Sequence, residues 1–336
     1  MAGARGANND LTDVAGVRVG SAHDAAARTG VTVVLPDAPA IVAGDIRGGG
    51  PGARETDLLK PSTLVDRADA LVLAGGSSYG LGAADGVAGW LGARGRGFRL
   101  VALDGVPPSP IVPAAILYDL ANGGDKSWGE TPPYSRLGVA ACKAAADGAR
   151  GPMELGRAGA GYGASAGARP GGLGSASFET SDGWTIGALM AVNSFGSTHM
   201  PGSDVFWAWP YEIDKEFGGA RPTADAAPAL DLPPDTKLAA AAARANTTIG
   251  VVAIAAQLTQ ANAERIAIMA QDGVARAIRP VHGPTDGDAI FVIATDGPPA
   301  DDPLTITRLG AIAADCVARA IARGVHATET AAGADG

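Results

Sequence analysis

Short β-branched runs alternate with segments of helical apolar period along this chain, a pattern that admits layered α/β architectures and excludes an all-α bundle. Residues 17–20, 31–35 and 40–43 predict three strands punctuated by Gly, Pro and Asp. Residues 70–74 predict a fourth, running into Gly75-Gly-Ser-Ser-Tyr-Gly80 and then a helix whose apolar face carries Ala83, Val87, Trp90 and Leu91. A second helix is predicted from Ser135 as N-cap to Gly148. Residues 175–178 and 184–192 predict a hairpin around Ser181-Asp-Gly183, with Asn193 at its end. Two later helices, 261–278 and 304–323, are separated by a strand at 289–294.

Glycine is used about twice as often as in an average chain, 49 of 336 residues, without any collagen-like period or low-complexity tract. The excess gathers at Gly48-Gly49-Gly50, Gly75-Gly76, Gly159 to Gly167 and Gly171-Gly172, which predicts loops where backbone turns sharply or comes close to another group. Lys plus Arg number 26 against 35 Asp plus Glu, a formal net charge of −9 that opposes binding to nucleic acid or an anionic membrane surface. The first ten residues lack the apolar core of a secretory signal, and no apolar run approaches the roughly 18 residues of a membrane span. Cys142 and Cys316 lie in Ala-rich helical segments and read as small core residues. A cytoplasmic protein is expected.

One junction stands out. Residues 218–245 are rich in Ala, Pro and Asp and read as an exposed linker. They run directly into Thr247-Thr-Ile-Gly-Val-Val-Ala-Ile254, a strongly β-prone buried strand, so the composition changes at the Asn246–Thr247 bond. The four histidines are scattered, none near a nucleophile elbow, and phosphate-loop, zinc-protease and Cys-x-x-Cys signatures are missing. Gly159-Ala-Gly-Tyr-Gly163 matches a dinucleotide loop only loosely. A hydrolase built on this chain needs another base. A threonine freed at its amino end carries one, because an α-amine titrates at about 7.7–8.0.

Several motifs in one order carry a resemblance: Thr29-Gly-Val-Thr-Val-Val-Leu, Asp45-Ile-Arg-Gly-Gly-Gly-Pro-Gly-Ala-Arg-Glu-Thr-Asp-Leu-Leu, Leu73-Ala-Gly-Gly-Ser-Ser-Tyr-Gly-Leu, Gly156-Arg-Ala-Gly-Ala-Gly, Ala245-Asn-Thr-Thr-Ile-Gly-Val-Val and Thr285-Asp-Gly-Asp-Ala-Ile-Phe. Over roughly residues 10 to 325 the chain resembles the hydrolase family containing the L-aminopeptidase/D-esterases, β-aminopeptidases and nylon-oligomer hydrolases. That resemblance implies an αββα sandwich cut before a Ser or Thr into two associated chains, here 1–246 and 247–336, with a homotetramer as the expected assembly and no metal or organic cofactor.

By the same resemblance Thr247 is the nucleophile and Asn193 stabilises the oxyanion. Asp286 and Asp288 orient and balance the Thr247 amine, and Tyr118, with Ser78 and Tyr79 of the glycine-rich loop, lies at the substrate. Alone, Asp286-Gly-Asp288 reads rather as a solvated turn or a calcium-loop fragment, while Asn193 also fits a strand-end turn and Tyr118 a half-buried core residue. Ala168 stands where the family commonly has Lys. Arg169 is the expected substitute, able to supply charge but unable to give up its proton. Thr at the cleavage point and two Asp in the second loop look more like the nylon-oligomer hydrolases, so short amides with a free amino end, 6-aminohexanoate oligomers foremost, are the expected substrates. A β-aminopeptidase or L-aminopeptidase/D-esterase, an ornithine acetyltransferase-like acyltransferase and a non-catalytic assembly protein are the alternatives.

Overall fold

The computed structural model describes residues 3–101, 103–148, 151–226, 231–237 and 246–334. Two sheets lie face to face with a helical layer outside each. The smaller sheet is built from β1 (Val17–Asp24), β2 (Thr29–Pro36), β4 (Leu71–Ala74) and β5 (Ala114–Ile116), in the order β1-β2-β4-β5, with the two-residue strand Ala53–Arg54 at its edge. The larger runs β6-β7-β8-β9-β3, formed by Gly172–Thr180, Thr185–Asn193, Thr247–Gln257, Ala289–Pro299 and Ala40–Ile46, with short strands Gly3–Ala4 and Arg67–Ala68 at its two edges. Helices α1 (Gly82–Gly92) and α2 (Tyr134–Asp147) cover the smaller sheet; α3 (Gln260–Ala277) and α4 (Pro303–Ala334) cover the larger.

Three apolar layers fill the spaces between these four, and the period-two alternation of the strands sorts residues among them. In β8, Ile249, Val251 and Ala253 face the smaller sheet, meeting Leu71, Leu73 and Phe291, whereas Val252, Ile254 and Ala256 face α3 and α4. Val31, Val33 and Val72 pack beneath α1 and α2 in the third layer. Buried on both faces, these strands read as continuous β-branched runs, which is why they stand out in the sequence. Strands β8 and β9 run parallel and are linked through α3, while β7 pairs antiparallel with β8. This is the αββα sandwich the resemblance implies.

Element ends differ from expectation where side-chain caps do not form. The α2 helix begins at Tyr134 behind Pro133, which makes no side-chain cap, so Ser135 lies within the first turn and does not cap it. The last helix continues to Ala334, eleven residues past the expected end at 323, because Val325 and Thr328 remain buried on its inner face. Cys142 and Cys316 are buried free thiols. Among the described residues no helix is long and apolar enough to cross a membrane.

The stretch expected to be an exposed linker departs most. Of its residues, 227–230 and 238–245 lie outside the described ones, but Thr236 and Lys237 are buried, at 3% and 8% exposure. The Asp235 carbonyl accepts the Ala168 N–H at 2.8 Å, its carboxylate accepts the Ser197 hydroxyl at 2.6 Å, and the Lys237 N–H donates to Phe195 O at 3.1 Å. These bonds dock a proline-rich segment that composition alone describes as solvated.

Candidate active site

The site grows from the first residue of β8. Register pairs Thr247 with Asn193, the last residue of β7, and parity turns both side chains toward the smaller sheet, at the end where the space between the sheets opens. Thr247 is 5% exposed and Asn246 1% exposed. The Thr247 hydroxyl donates to the carbonyl of Asn246. The Gly287 N–H donates to that same carbonyl at 2.9 Å. A β-carbon at Gly287 would stand 2.7 Å from Thr247 Oγ1, closer than real contacts allow, so only glycine brings this loop so near the hydroxyl.

The loop bearing Gly287 is braced from both sides. Asp288 Oδ1 accepts the Thr248 N–H at 2.7 Å, and Asp288 Oδ2 lies 2.7 Å from His282 Nδ1, so one carboxylate ties the start of β8 to the loop. Asp286 Oδ2 accepts the Gly283 N–H at 2.7 Å. Beneath them the Gly48–Gly50 backbone donates from Gly50 to Asp286 O at 2.8 Å and from Gly49 to Gly283 O at 3.2 Å. A β-carbon at Gly48 would come within 2.1 Å of Asp286 O and one at Gly49 within 2.7 Å of Pro284, so these two positions require glycine. Burial, reinforced by the neighbouring Asp288 charge, raises the Asp286 carboxyl to about 6.

A cleft of about 350 Å³ opens beside this centre, with Tyr118, Ser165, Ala168, Asn193 and Lys237 among its lining residues. The Asn193 side chain is held at both ends: Nδ2 donates to Tyr118 O at 3.0 Å, and Oδ1 accepts the Ser165 N–H at 3.1 Å. Lys237 Nζ donates to Asn193 O at 3.1 Å and to Asn193 Oδ1 at 3.2 Å. Burial depresses the Lys237 ammonium to about 7, against a partial offset from the Asp286 charge. Asn193 thus donates one amide N–H to backbone and holds an ammonium on its oxygens at the cleft.

The expected residues thus separate. Thr247, Asn246, Asn193, Asp286 and Asp288 come together at one strand end, and Tyr118 joins them through its carbonyl. Ser78 and Tyr79 do not line this cleft: the left-handed turn at Gly76, φ 86°, carries them aside, and Tyr79 is half exposed with its ring edge-on to Trp128. Arg169 lines the cleft, but its guanidinium is engaged by Asp204 and Glu329, each at 3.0 Å. Lys237 is the cation that enters beside Ala168, brought there by the Asp235–Ala168 backbone bond. Lys237 and His282 were not foreseen. A lone Lys in a proline-rich stretch carries no signal, whereas His282, six residues before Asp288, was a weak one. Among the described residues no three His, Cys, Asp or Glu side chains gather as metal ligands.

With layers and strand end in view, the fold is that of the N-terminal-nucleophile hydrolases. A solved structure of the L-aminopeptidase D-Ala-esterase/amidase of Ochrobactrum anthropi, described as a prototype of the serine aminopeptidases and a variant of that fold, superposes with a TM-score of 0.67 at 20% identity, covering 97% of this chain and 88% of that one. The model of Peptidase family S58 matches residues 9–336, and the chain belongs to that family. It is accordingly a hydrolase of amide bonds. An uncharacterised aminopeptidase of Mycobacterium tuberculosis is 44% identical over 97% of this chain and 96% of its own length. A 6-aminohexanoate-oligomer endohydrolase of Kocuria sp. is 32% identical over 84% of this chain and 74% of its own.

Proposed function

We propose that the chain cleaves itself between Asn246 and Thr247 and that the freed Thr247 hydrolyses short amides bearing a free amino end. The observation that carries this reading is the convergence of the Thr247 hydroxyl and the Gly287 N–H on the Asn246 carbonyl. In the first event Thr247 Oγ1 adds to the Asn246 carbonyl carbon while Gly287 N–H stabilises the oxygen as it becomes anionic. The C–N bond breaks, the Thr247 nitrogen takes the proton, and water hydrolyses the resulting ester to leave a carboxylate on Asn246.

In turnover the new α-amine accepts the hydroxyl proton and Oγ1 attacks the substrate carbonyl. That proton passes to the departing amine, and water then releases the acyl group. Asp286 and Asp288 hold the amine of Thr247. Lys237, seated on Asn193, faces the charge that builds on the substrate oxygen, so Asn193 acts through the ammonium it holds as well as through its own amide. Tyr118 contributes the carbonyl that fixes Asn193.

Two substrate sets fit. The motif of Thr with two Asp favours 6-aminohexanoate oligomers, supported by the relative at 32% identity. The higher identity to the mycobacterial aminopeptidase, 44%, favours amides of amino-terminal residues. Intact mass under denaturing conditions tests the cleavage: fragments 1–246 and 247–336 are expected, and a folded chain that stays whole defeats it. Assay of the cut enzyme on both substrate sets, with and without an added amine acceptor, decides between them and separates hydrolysis from acyl transfer. A homotetramer is the proposed assembly, tested by light scattering.

A further inference from the structure

The cleft beside Thr247 is cationic in a protein whose net charge is −9. Lys237 lies at its floor, and Arg28, Arg157 and Arg169 line it. Arg169 is neutralised by Asp204 and Glu329. Arg28 and Arg157 differ: both are exposed, and among the described residues neither guanidinium makes a hydrogen bond or ion pair. The one carboxylate among the described lining residues, Asp119, is buried and accepts the Gly76 N–H at 2.7 Å.

Both arginines sit on backbone that is fixed in place. Arg28 occupies the turn between β1 and β2 with φ 50°, a conformation a side-chain-bearing residue adopts only when its surroundings impose it. Its carbonyl accepts Asn122 Nδ2 at 2.6 Å, and the same amide group donates to Gly163 O at 3.1 Å, stapling the turn to the cleft wall. Arg157 follows Gly156, which exchanges two backbone hydrogen bonds with Leu173 on β6, at 2.7 and 2.8 Å. Two anchored guanidiniums line a cleft that has an ammonium at its floor, a cationic setting suited to a carboxylate.

We propose that this cleft binds a carboxylate on the leaving half of the substrate, so that the enzyme prefers amides whose departing amine is itself a free amino acid. The inference rests on the amide hydrolysis proposed above and names its substrate class: short zwitterionic amides such as dipeptides and linear amino-acid oligomers, with Arg28 and Arg157 as the carboxylate's partners. On cleavage the acyl half becomes the Thr247 ester, the leaving nitrogen takes the proton, and the product amino acid departs with its carboxylate.

The test compares kcat/KM of the purified enzyme on the linear 6-aminohexanoate dimer and on alanyl-alanine, each as free acid and as terminal carboxamide. The acid should be favoured by about tenfold or more at low salt. That preference should shrink with salt and fall toward unity in the Arg28→Gln, Arg157→Gln double variant, while Arg157→Lys retains part of it. Equal rates on acid and carboxamide, or a preference that survives the double variant, overturn the inference and leave the amide hydrolase intact. Calorimetric titration with 6-aminohexanoate and with 6-aminohexanol reads the cleft apart from turnover. Tighter binding of the acid supports the proposal, and equal binding overturns it even if neither amide is cut.

Discussion

The Gly287 amide lies 2.9 Å from the carbonyl oxygen of Asn246, the group that the Thr247 hydroxyl also touches. A donor aimed at the carbonyl of the bond to be broken lowers the barrier to addition there, because charge develops on that oxygen in the transition state.

Gly287→Ala is therefore expected to stall self-cleavage. The added methyl falls 2.7 Å from Thr247 Oγ1 and 3.0 Å from Gly50 O, forcing the loop away and taking its N–H with it. Loss of one such donor corresponds to about 10²–10³ in rate. A time course of intact mass should show the uncut chain persisting in Gly287→Ala and permanently in Thr247→Ala, with circular dichroism unchanged. Normal processing of Gly287→Ala would remove the donor from the mechanism.

Asp288 joins two segments through one buried carboxylate, and Asp288→Asn places an amide NH₂ against either the Thr248 N–H or His282. Exchanging an acceptor for a donor at a buried charge-assisted bond costs about 1–3 kcal/mol. Urea denaturation should show that loss of stability, together with slower processing. Unchanged stability and unchanged processing would mean that the carboxylate does not hold the loop to β8.

Asp286 gives a pH dependence whose sign follows from its position. Its folded pKa, about 6, exceeds the ordinary carboxylate value of 3.8, so the folded chain binds the proton more tightly. The stabilisation is present in full below about pH 4 and is lost as pH rises to about 6, amounting to at most about 3 kcal/mol. Asp286→Asn cannot lose a proton. Its stability relative to the parent, followed by thermal unfolding from pH 4 to 7, should rise up to about pH 6 and then level. A difference that is flat across this range would show that Asp286 is ordinary.

Lys237 titrates the other way. Its folded pKa of about 7 lies below the ordinary 10.5, so the ammonium in the site is lost progressively as pH rises through neutrality. Lys237→Met should lower kcat by about 10–100-fold with a smaller change in KM, and should remove a pH–rate limb near 7. Lys237→Arg should keep a positive charge but also remove that limb, because guanidinium does not titrate there. A limb that persists in both variants belongs to another group, the Thr247 amine foremost.

The sequence by itself determined the layers and the strand end that opens the site. Strands such as β2 and β8 are buried on both faces, and uninterrupted β-branched runs announce that burial, just as the period of α3 announces its apolar face. The Asn246–Thr247 junction and the Asp286-Gly-Asp288 loop were legible because composition changes sharply at the first and because both lie within motifs. The tertiary structure alone decided what meets there. The pairing of β7 with β8 sets Asn193 beside Thr247, and the parallel seating of β9 carries Gly287 to the Asn246 carbonyl. The docking of Asp235 on Ala168 turns a linker lysine into a buried ammonium, while the turn at Gly76 removes Ser78 and Tyr79. These outcomes depend on hydrogen bonds between residues tens of positions apart, whose partners are fixed only once the sheets have formed, and no local pattern of side chains encodes them.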